Sequence, residues 1–471
     1  MLQIIIYAYF NNNNMKNIKG GKAIASGGFG CVFKPAIKCK TRKNKEAGIT
    51  KLMKTKYAKA EYKEIQEFKG LLDDIPNYSD YFLLDGFSLC EPEELTKDDL
   101  DKFDKKCKSL KKIDITASNV NQSLNKLLSL NMPYGGIDVG DYIELEKMDY
   151  KKIHKMNVSL IELLKNGIEP MNQREIFHCD IKDSNILVKD EGHTQVKTRL
   201  IDWGLSTTYK SGGNIPKPLT NRPFQFNVPF SVVLFNDMFT KMYTEFLKKH
   251  KEPSFFIIRS FVINYVISWV NKRGPGHLKA LNSIFKELFE RGLINIEEQF
   301  KEDLIEFDYT FYFIFEYISY VLFKFTHDGK FDKMEYFSKV FLKNLDIWGF
   351  VMTYLPILEY LSGYYDKLCE CELEIIEKIK EMILYIIECS YVPIDVDKIV
   401  AKLEDLNALF LKADKKSTVH FKEKRPTSSL TISKPKKSTT KSTTKSTTKT
   451  SKRSSSSKKN STMKKTTSHQ K

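Results

Sequence analysis

The run His-Cys-Asp-Ile-Lys-Asp-Ser-Asn occupies residues 178–185, and Asp202 follows it in front of a Trp-Gly pair. Asp180 could accept the proton of a hydroxyl group, and Lys182 could neutralise a phosphate. Asn185 and Asp202 carry oxygen atoms of the kind that Mg²⁺ prefers as ligands. A base, a cation and two metal ligands at this spacing predict transfer of the terminal phosphoryl group of ATP.

The elements around these residues follow from hydrophobic periodicity. Residues 185–189 and 196–202 predict two strands joined by a turn. Upstream, residues 20–34 predict a strand, a glycine turn and a second strand, and residues 47–53 predict a third. Helical spacing is expected over Ala58–Leu72, and the apolar members of its inner face are Ile65, Phe68 and Leu72.

The remaining chain divides by composition. Residues 91–124 are charged and weakly apolar, which favours an inserted surface loop. Leu127–Met132 is apolar and precedes a Pro-Tyr-Gly-Gly turn. From about residue 230 to 411 the pattern is helical and rich in aromatic residues.

The positive charge is confined to the C-terminal end. The 471 residues carry a formal net charge of +17, and residues 415–471 contain 18 Lys or Arg and the single acid Glu423. The rest of the chain is therefore balanced. A Lys-Ser-Thr-Thr repeat offers little to bury and predicts disorder. This tail could be a tether, a regulatory substrate, or a weak, sequence-independent clamp on nucleic acid or an acidic surface.

The N-terminal end carries no clear targeting signal. Leu2–Phe10 is apolar but short, and neither basic residues nor a cleavage site accompany it. The chain has no run of eighteen apolar residues, so we expect no membrane span. Met15 follows an Asn run and is an alternative start. The eight cysteines form no C-x-x-C pair, which argues against zinc and favours a reducing, intracellular setting.

Residues 24–32 resemble the glycine-rich loop of protein kinases, with Ala25 in place of the first glycine. Glycine lets backbone N–H groups approach phosphates that a Cβ atom would hold away. The resemblance implies an ATP-binding set of Ala25, Gly27, Gly28, Gly30 and Val32.

Gly-Ile-Thr-Lys at 48–51 resembles the kinase strand whose lysine binds the α- and β-phosphates, which implies that role for Lys51. Its expected partner is Glu64 on the next helix, because Glu64 heads the apolar pattern there. Glu61 lies one turn away on the same face and is the alternative.

Met132-Pro133-Tyr134-Gly135-Gly136-Ile137-Asp138 resembles the hinge of haspin-type kinases. The resemblance implies that Met132 is the gatekeeper, that Pro133 offers its carbonyl to adenine, and that Gly135 offers an N–H. Leu187 is expected to pack under the adenine.

In the catalytic loop, the resemblance implies that Asp180 is the base, Lys182 the γ-phosphate cation, and Asn185 and Asp202 the Mg²⁺ ligands. His178 and Trp203 are expected to be packing residues. Asp346 in Asp-Ile-Trp resembles the aspartate of the kinase central helix that anchors this loop.

Two departures from the family pattern concern regulation and docking. Cys179 stands where many kinases have an arginine that pairs with a phosphorylated activation loop, so activation by loop phosphorylation is not expected. Asn221-Arg222-Pro223-Phe224-Gln225-Phe226 stands where Ala-Pro-Glu is usual, so the mode of substrate docking cannot be carried over.

The sequence as a whole predicts an α+β, bilobal, protein-kinase-like fold with an antiparallel-sheet N-lobe and a helical C-lobe. The expected divisions are an extension at 1–15, the N-lobe and hinge at 16–136 with an insertion at about 90–124, the C-lobe at 137–411 with a helical insertion at about 231–340, and a basic tail at 412–471.

The resemblance implies an intracellular serine/threonine protein kinase that uses ATP and Mg²⁺ and acts on a protein substrate. Lys182 two residues after the base is typical of serine/threonine kinases, and kinases of small molecules usually lack it. The layout resembles divergent kinases of giant DNA viruses. The alternative from another class is a pseudokinase scaffold that binds nucleotide or a partner without transfer.

Overall fold

The computed structural model describes residues 21–26, 30–40, 48–147, 149–192, 195–293 and 295–417. The predictions for Gly27 and Gly28, for the extension at 1–15 and for the basic tail beyond residue 417 lie outside these ranges.

An antiparallel sheet of five strands forms the N-terminal part of the fold, with the order β1-β2-β3-β5-β4. The strands are β1 (Lys22–Ser26), β2 (Gly30–Lys34), β3 (Gly48–Lys54), β4 (Ser88–Cys90) and β5 (Leu127–Pro133). Phe33 and Leu52 on its inner face are fully buried. The register pairs Val32 with Lys51, so Lys51 lies in the middle of the sheet.

Helix α1 (Thr55–Leu72) follows β3 without a loop. Its buried residues are Ala58, Ile65, Phe68 and Leu72, which confirms the predicted helix and inner face. Because these residues recur every three or four positions, one stripe of the helix packs on the sheet while the other face stays in solvent.

The prediction of a surface loop at 91–124 is wrong. This segment contains α3 (Phe103–Lys106), α4 (Lys108–Lys111) and a 3-10 turn at Asn121–Lys126, after the short α2 (Tyr78–Tyr81) upstream. Phe103 and Leu110 are buried against Phe33 and Leu52 of the sheet. The high charge of the segment hid a sparse set of apolar residues that form a second core.

Two disulfides connect this insertion and its flanks to the sheet. Cys31 of β2 pairs with Cys107, and Cys39 pairs with Cys90 of β4. Neither pair follows from sequence spacing, because the partners are 76 and 51 residues apart. The interpretation of the cysteines as reduced thiols is therefore wrong for these four.

A three-stranded sheet carries the chain from the hinge to the catalytic region. It consists of β6 (Ile137–Asp138), β8 (Ile186–Asp190) and β9 (Val196–Leu200), in the order β6-β8-β9. Nearby lie α5 (Val139–Leu145), α6 (Tyr150–Glu162), a π-helical turn at Leu163–Ile168, α7 (Glu169–Gln173) and the paired strands β7 (Ile176–Phe177) and β10 (Thr207–Thr208).

The rest of the described chain is almost wholly helical, in line with the predicted pattern. The helices are α8 (Asp237–Lys249), α9 (Phe255–Arg273), α10 (Leu278–Phe289), α11 (Glu298–Leu304), α12 (Tyr312–Lys324), α13 (Lys333–Tyr336), α14 (Leu342–Met352), α15 (Leu355–Ser362), α16 (Glu370–Glu388) and α17 (Val396–Lys416), with a small hairpin of β11 (Thr326–His327) and β12 (Lys330–Phe331).

The core of the helical part lies around α14. Trp348 on this helix is fully buried, packs edge-on against Phe230 and Tyr317, and donates its ring N–H to the Phe226 carbonyl at 2.8 Å. Among the described residues, no helix combines the length and the apolar character needed to span a membrane.

Candidate active site

Helix α14 anchors the catalytic loop, which comprises residues 178–185, through Asp346. Asp346 is 1% exposed and accepts backbone hydrogen bonds from His178 N at 2.8 Å and Cys179 N at 2.9 Å. Burial raises the pKa of Asp346 to about 6, although the two amide donors act in the opposite direction. A single buried carboxylate therefore fixes the backbone just before Asp180.

Cys179 adopts a left-handed backbone conformation, with φ of 63°. Such a conformation costs a non-glycine residue about 1–3 kcal/mol and persists only where the surroundings enforce it. Here Asp346 holds the N–H of Cys179, and Arg222 donates from Nη1 to its carbonyl oxygen at 2.8 Å. These two contacts turn the chain so that Asp180 follows in a fixed orientation.

The Asp180 carboxylate is held by three side chains. Lys182 Nζ lies 2.6 Å from Oδ2, Asn185 Nδ2 lies 3.1 Å from the same oxygen, and Asn227 Nδ2 donates to Oδ1 at 2.9 Å. Burial acts to raise the pKa of Asp180, but Lys182, Asn227 and His178 together lower it below its ordinary value. The group is therefore a carboxylate at neutral pH, and these contacts hold it in one orientation.

Asn185 and Asp202 are brought together by the start of β8 and the end of β9. Ile201 N donates to the Asn185 carbonyl at 3.0 Å, directly before Asp202. The Asn185 side-chain nitrogen donates to Asp180 O at 2.8 Å, so its amide oxygen is the atom that could bind a metal. Asp202 is exposed and has a left-handed backbone with φ of 69°.

His178 and Trp203 form part of an aromatic stack between α1 and the catalytic loop. The Trp203 ring lies 5.3 Å from that of Phe68 and 5.0 Å from that of His178. His178 is fully buried and its Nε2 lies 3.0 Å from the Ile201 carbonyl oxygen. Burial lowers the pKa of His178, which favours the neutral ring, and both residues pack between α1 and this loop.

The ion pair of Lys51 involves Glu61 and not Glu64. Lys51 Nζ lies 2.6 Å from both carboxylate oxygens of Glu61. The prediction of Glu64 is wrong because α1 begins at Thr55, so the turn that carries Glu61 is the nearer one to Lys51. Glu64 is exposed instead, and burial of part of its surface, together with Glu61 and Asp202, raises its pKa.

The hinge passes closely over β8. A Cβ atom added at Gly135 would lie 2.7 Å from the side chains of Leu187 and Leu83, so Gly135 and Leu187 are neighbours. Gly136 has φ of +108°, and its added Cβ would lie 2.0 Å from the Val188 carbonyl. Only glycine fits this crossing.

The described members of the predicted ATP-binding set on this sheet lie on β1, β2, β3 and β5, with β3 between β2 and β5. In the register of β3 and β5, Met132 lies opposite Ile49 and Pro133 lies opposite Gly48. Val32 is buried on β2, and Ala25 pairs with it across the hairpin. Gly30 begins β2, where an added Cβ would lie 2.7 Å from the Leu52 carbonyl.

Three polar residues of this region were given no role by the sequence reasoning. Asn227 is 1% exposed and contacts both Asp180 Oδ1 and, at 3.2 Å, the Ile181 carbonyl. No fixed spacing links it to the catalytic loop, so the sequence held no signal. Around Gly140 lie two further acids, the half-buried Asp138 and Asp183, and desolvation is the main cause that raises the pKa of each.

The family comparison agrees with this geometry. A family model described as "Protein kinase domain" matches residues 107–225, roughly a quarter of the chain. The match supports the protein kinase superfamily. It contains the hinge, Asp180, Asn185 and Asp202, but neither Lys51 nor Asp346. A search of curated proteins found no match.

The fold of the chain is an α+β, kinase-like fold, with an antiparallel sheet in its N-terminal region and a mostly helical remainder, as the sequence predicted. A protein kinase domain indicates phosphotransfer to protein substrates and, in general, the use of ATP and Mg²⁺.

The residues present fit a magnesium ion shared with a nucleotide. Mg²⁺ binds through few protein carboxylates and completes its shell with water and phosphate oxygens. Asn185 and Asp202 offer two side-chain oxygen ligands of this kind. Within the described ranges, no group of three His, Cys, Asp or Glu side chains forms a metal site of protein ligands alone.

Proposed function

We propose that the chain is an active serine/threonine protein kinase that transfers the γ-phosphate of ATP to a protein hydroxyl group. The observation that carries this proposal is the arrangement at Asp180. Its carboxylate is charged, oriented by Asn227 and paired with Lys182, while Asn185 hydrogen-bonds to its backbone. A scaffold without activity has no need of such an oriented base.

Each side chain has a distinct task in the transfer. Asp180 would orient the substrate hydroxyl and accept its proton, and the lowered pKa of Asp180 keeps the carboxylate deprotonated before the transfer. Lys182, now paired with Asp180, would neutralise the transferred phosphate, and Lys51 would bind the other phosphates under the control of Glu61. When bound at Asn185 and Asp202, Mg²⁺ supplies positive charge for the triphosphate.

The hinge supports adenine binding in the manner of a haspin-like hinge. Pro133 has no N–H and offers only its carbonyl, and Gly135 offers an N–H. Leu187 lies beside Gly135, where it would support one face of the base.

Activity is proposed to be independent of activation-loop phosphorylation. Cys179 cannot pair with a phosphate as an arginine does, and its carbonyl is already bound by Arg222. A requirement for phosphate at Thr207, Thr208, Ser211 or Thr220 would contradict this part of the proposal.

A transfer assay with labelled ATP and a peptide library tests the function. Asp180→Asn should lower kcat by about 10²–10⁴ because the general base is lost, and Asp202→Asn should also abolish most transfer. Asp405→Asn, at an exposed surface ion pair, is the matched control and should leave transfer unchanged. Label on tyrosine alone would exclude serine/threonine specificity, and equal transfer by wild type and both site variants would support the pseudokinase scaffold.

A further inference from the structure

The segment of residues 221–228, here called the docking segment, contacts the catalytic loop through two side chains. Arg222 donates to the Cys179 carbonyl, and Asn227 donates to Asp180 Oδ1 and the Ile181 carbonyl. Arg222 and Asn227 are 6% and 1% exposed. The docking segment therefore holds three consecutive residues: the Cys179 carbonyl, the Asp180 side chain and the Ile181 carbonyl.

The opposite edge of the docking segment is held by the helical insertion. Arg273 Nε of α9 donates to the Asn221 carbonyl at 2.7 Å, and Trp269 Nε1 of the same helix donates to the Arg222 carbonyl at 3.2 Å. At the start of α10, His277 N donates to the Phe224 carbonyl at 2.8 Å. Three successive contacts thus tie the insertion to the backbone that carries Arg222 and Asn227.

The approach of the insertion to the docking segment is close and specific. A Cβ atom at Gly276 would lie 2.3 Å from the Phe224 carbonyl, and Gly276 has φ of +57°. The ring of His277 packs 5.6 Å from that of Phe226. Only a glycine turn permits this contact between the α9–α10 connection and the docking segment.

The buried Arg222 needs such support. Its Nη2 atom has no hydrogen-bond partner among the described residues, and Nη1 binds a neutral carbonyl. Burial of a guanidinium whose hydrogen bond goes to a neutral carbonyl is costly, so contacts that fix the neighbouring backbone help to hold Arg222 in place. Trp269 is 2% exposed and provides that restraint at the Arg222 carbonyl.

We propose that the helical insertion is a built-in brace for the catalytic loop, and that Asn227 is the positioning residue through which it orients Asp180. In this arrangement α9 and the start of α10 hold the docking segment in place, and no covalently added phosphate is required. The proposal deepens the proposed kinase function and rests on it.

Asn227 is tested first, in the full-length, phosphatase-treated protein. Asn227→Ala should lower kcat about tenfold to hundredfold, as expected when a reacting group loses its alignment, while the equilibrium Kd for ATP stays unchanged. Asn227→Asp places a second carboxylate against Asp180 and should shift the acidic limb of the kcat–pH profile to higher pH, which a merely structural role would not do. Wild-type kcat in a cooperatively folded Asn227→Ala protein would overturn the role of Asn227.

The brace is tested at the exposed Arg273, with its exposed neighbour Lys272 as the charge-matched control. Arg273→Gln should speed amide hydrogen exchange over residues 178–185 and 221–228 and lower kcat, whereas Lys272→Gln should change neither. Identical exchange in the two variants would overturn the brace, as would loss of wild-type activity on phosphatase treatment. A wild type that transfers no phosphate would instead refute the proposed function, and the exchange measurement would still decide on the brace.

Discussion

The two sides of the candidate active site are held in different ways. On the side of the catalytic loop, Asp346 and Asn227 reach the loop from 168 and 47 residues away in sequence, and both are almost fully buried. On the side of the lysine, Lys51 pairs with Glu61 only ten residues on, and their side chains are 19% and 28% exposed. The first side depends on tertiary structure and the second on a local ion pair.

This difference indicates which side can move. Several buried hydrogen bonds from separate elements restrain one loop cooperatively, so that no single thermal opening frees it. A partly exposed ion pair contributes little and exchanges with water. We therefore expect the catalytic loop to be rigid and α1, with Glu61, to be the adjustable part of the site.

The largest effect is expected at the anchor of the rigid side. Asp346→Ala leaves two buried backbone N–H groups without acceptors and should lower the free energy of unfolding by about 3 kcal/mol or more. Asp395→Ala, which removes an exposed N-cap carboxylate from α17, should cost only about 1 kcal/mol. Denaturant unfolding measures both, and equal losses would show that the anchor is no stronger than a surface cap.

Asp138, at the start of α5 between the two sides, gives the next effect. Burial, with Asp141 close by, raises the pKa of Asp138 to about 8. The protonated form of Asp138 therefore stabilises the fold. This contribution is fully present below about pH 4 and is lost as the pH rises through about 8. Stability should fall by about 2 kcal/mol between pH 6 and 8 in the wild type and much less in Asp138→Asn, which keeps the cap.

The matched control for this pH dependence is Asp149→Asn at the exposed N-cap of α6. It should follow the wild-type curve of melting temperature against pH. A wild-type slope that persists in Asp138→Asn would assign the titration to another group.

The close contact of α14 with the catalytic loop predicts a smaller loss. A Cβ atom at Gly349 would lie 2.5 Å from the Ile181 carbonyl, so Gly349→Ala should destabilise the protein by about 1–2 kcal/mol, despite the better helix propensity of alanine. In α1, Gly70 has no atom within 4 Å of an added Cβ. Gly70→Ala should instead stabilise by up to about 1 kcal/mol. The same sign for both variants would contradict the assigned contact.

The smallest effect is expected on the lysine side. Glu61→Gln should lower kcat/KM for ATP about tenfold, equivalent to about 1.4 kcal/mol, because Lys51 loses its partner. Glu64→Gln, three residues away, should have a clearly weaker effect, since Glu64 does not contact Lys51. Steady-state kinetics with varied ATP distinguish the two variants. A stronger effect at Glu64 would show that α1 rotates during catalysis and that Glu64 replaces Glu61 as the partner of Lys51.

The central residues of the candidate site could be selected from the sequence because they lie close together in it. Asp180, Lys182 and Asn185 form one local pattern, and Asp202 follows two strands that alternation also predicts. The partner of Lys51 could not be decided, because Glu61 and Glu64 share a helix face and only the exact start of α1 separates them. Asn227 and Arg222 were beyond reach, since their contacts depend on how distant segments pack.

Composition was the weaker guide to the fold. It predicted the helical C-terminal part correctly, where apolar residues are dense. It failed at 91–124, where a few residues such as Phe103 and Leu110 form a core among many charges. The pairing of Cys31 with Cys107 likewise depends on the packing of that segment against β2, which spacing does not reveal.

The two disulfides enclose nested stretches of chain, because Cys39 and Cys90 both lie between Cys31 and Cys107. A protease that cuts once within residues 91–106 would open the outer ring and leave the inner one intact. The two fragments would still migrate as one species on a non-reducing gel, joined through Cys31 and Cys107. Reductant alone would then separate the glycine-loop strand from the hinge and everything after it.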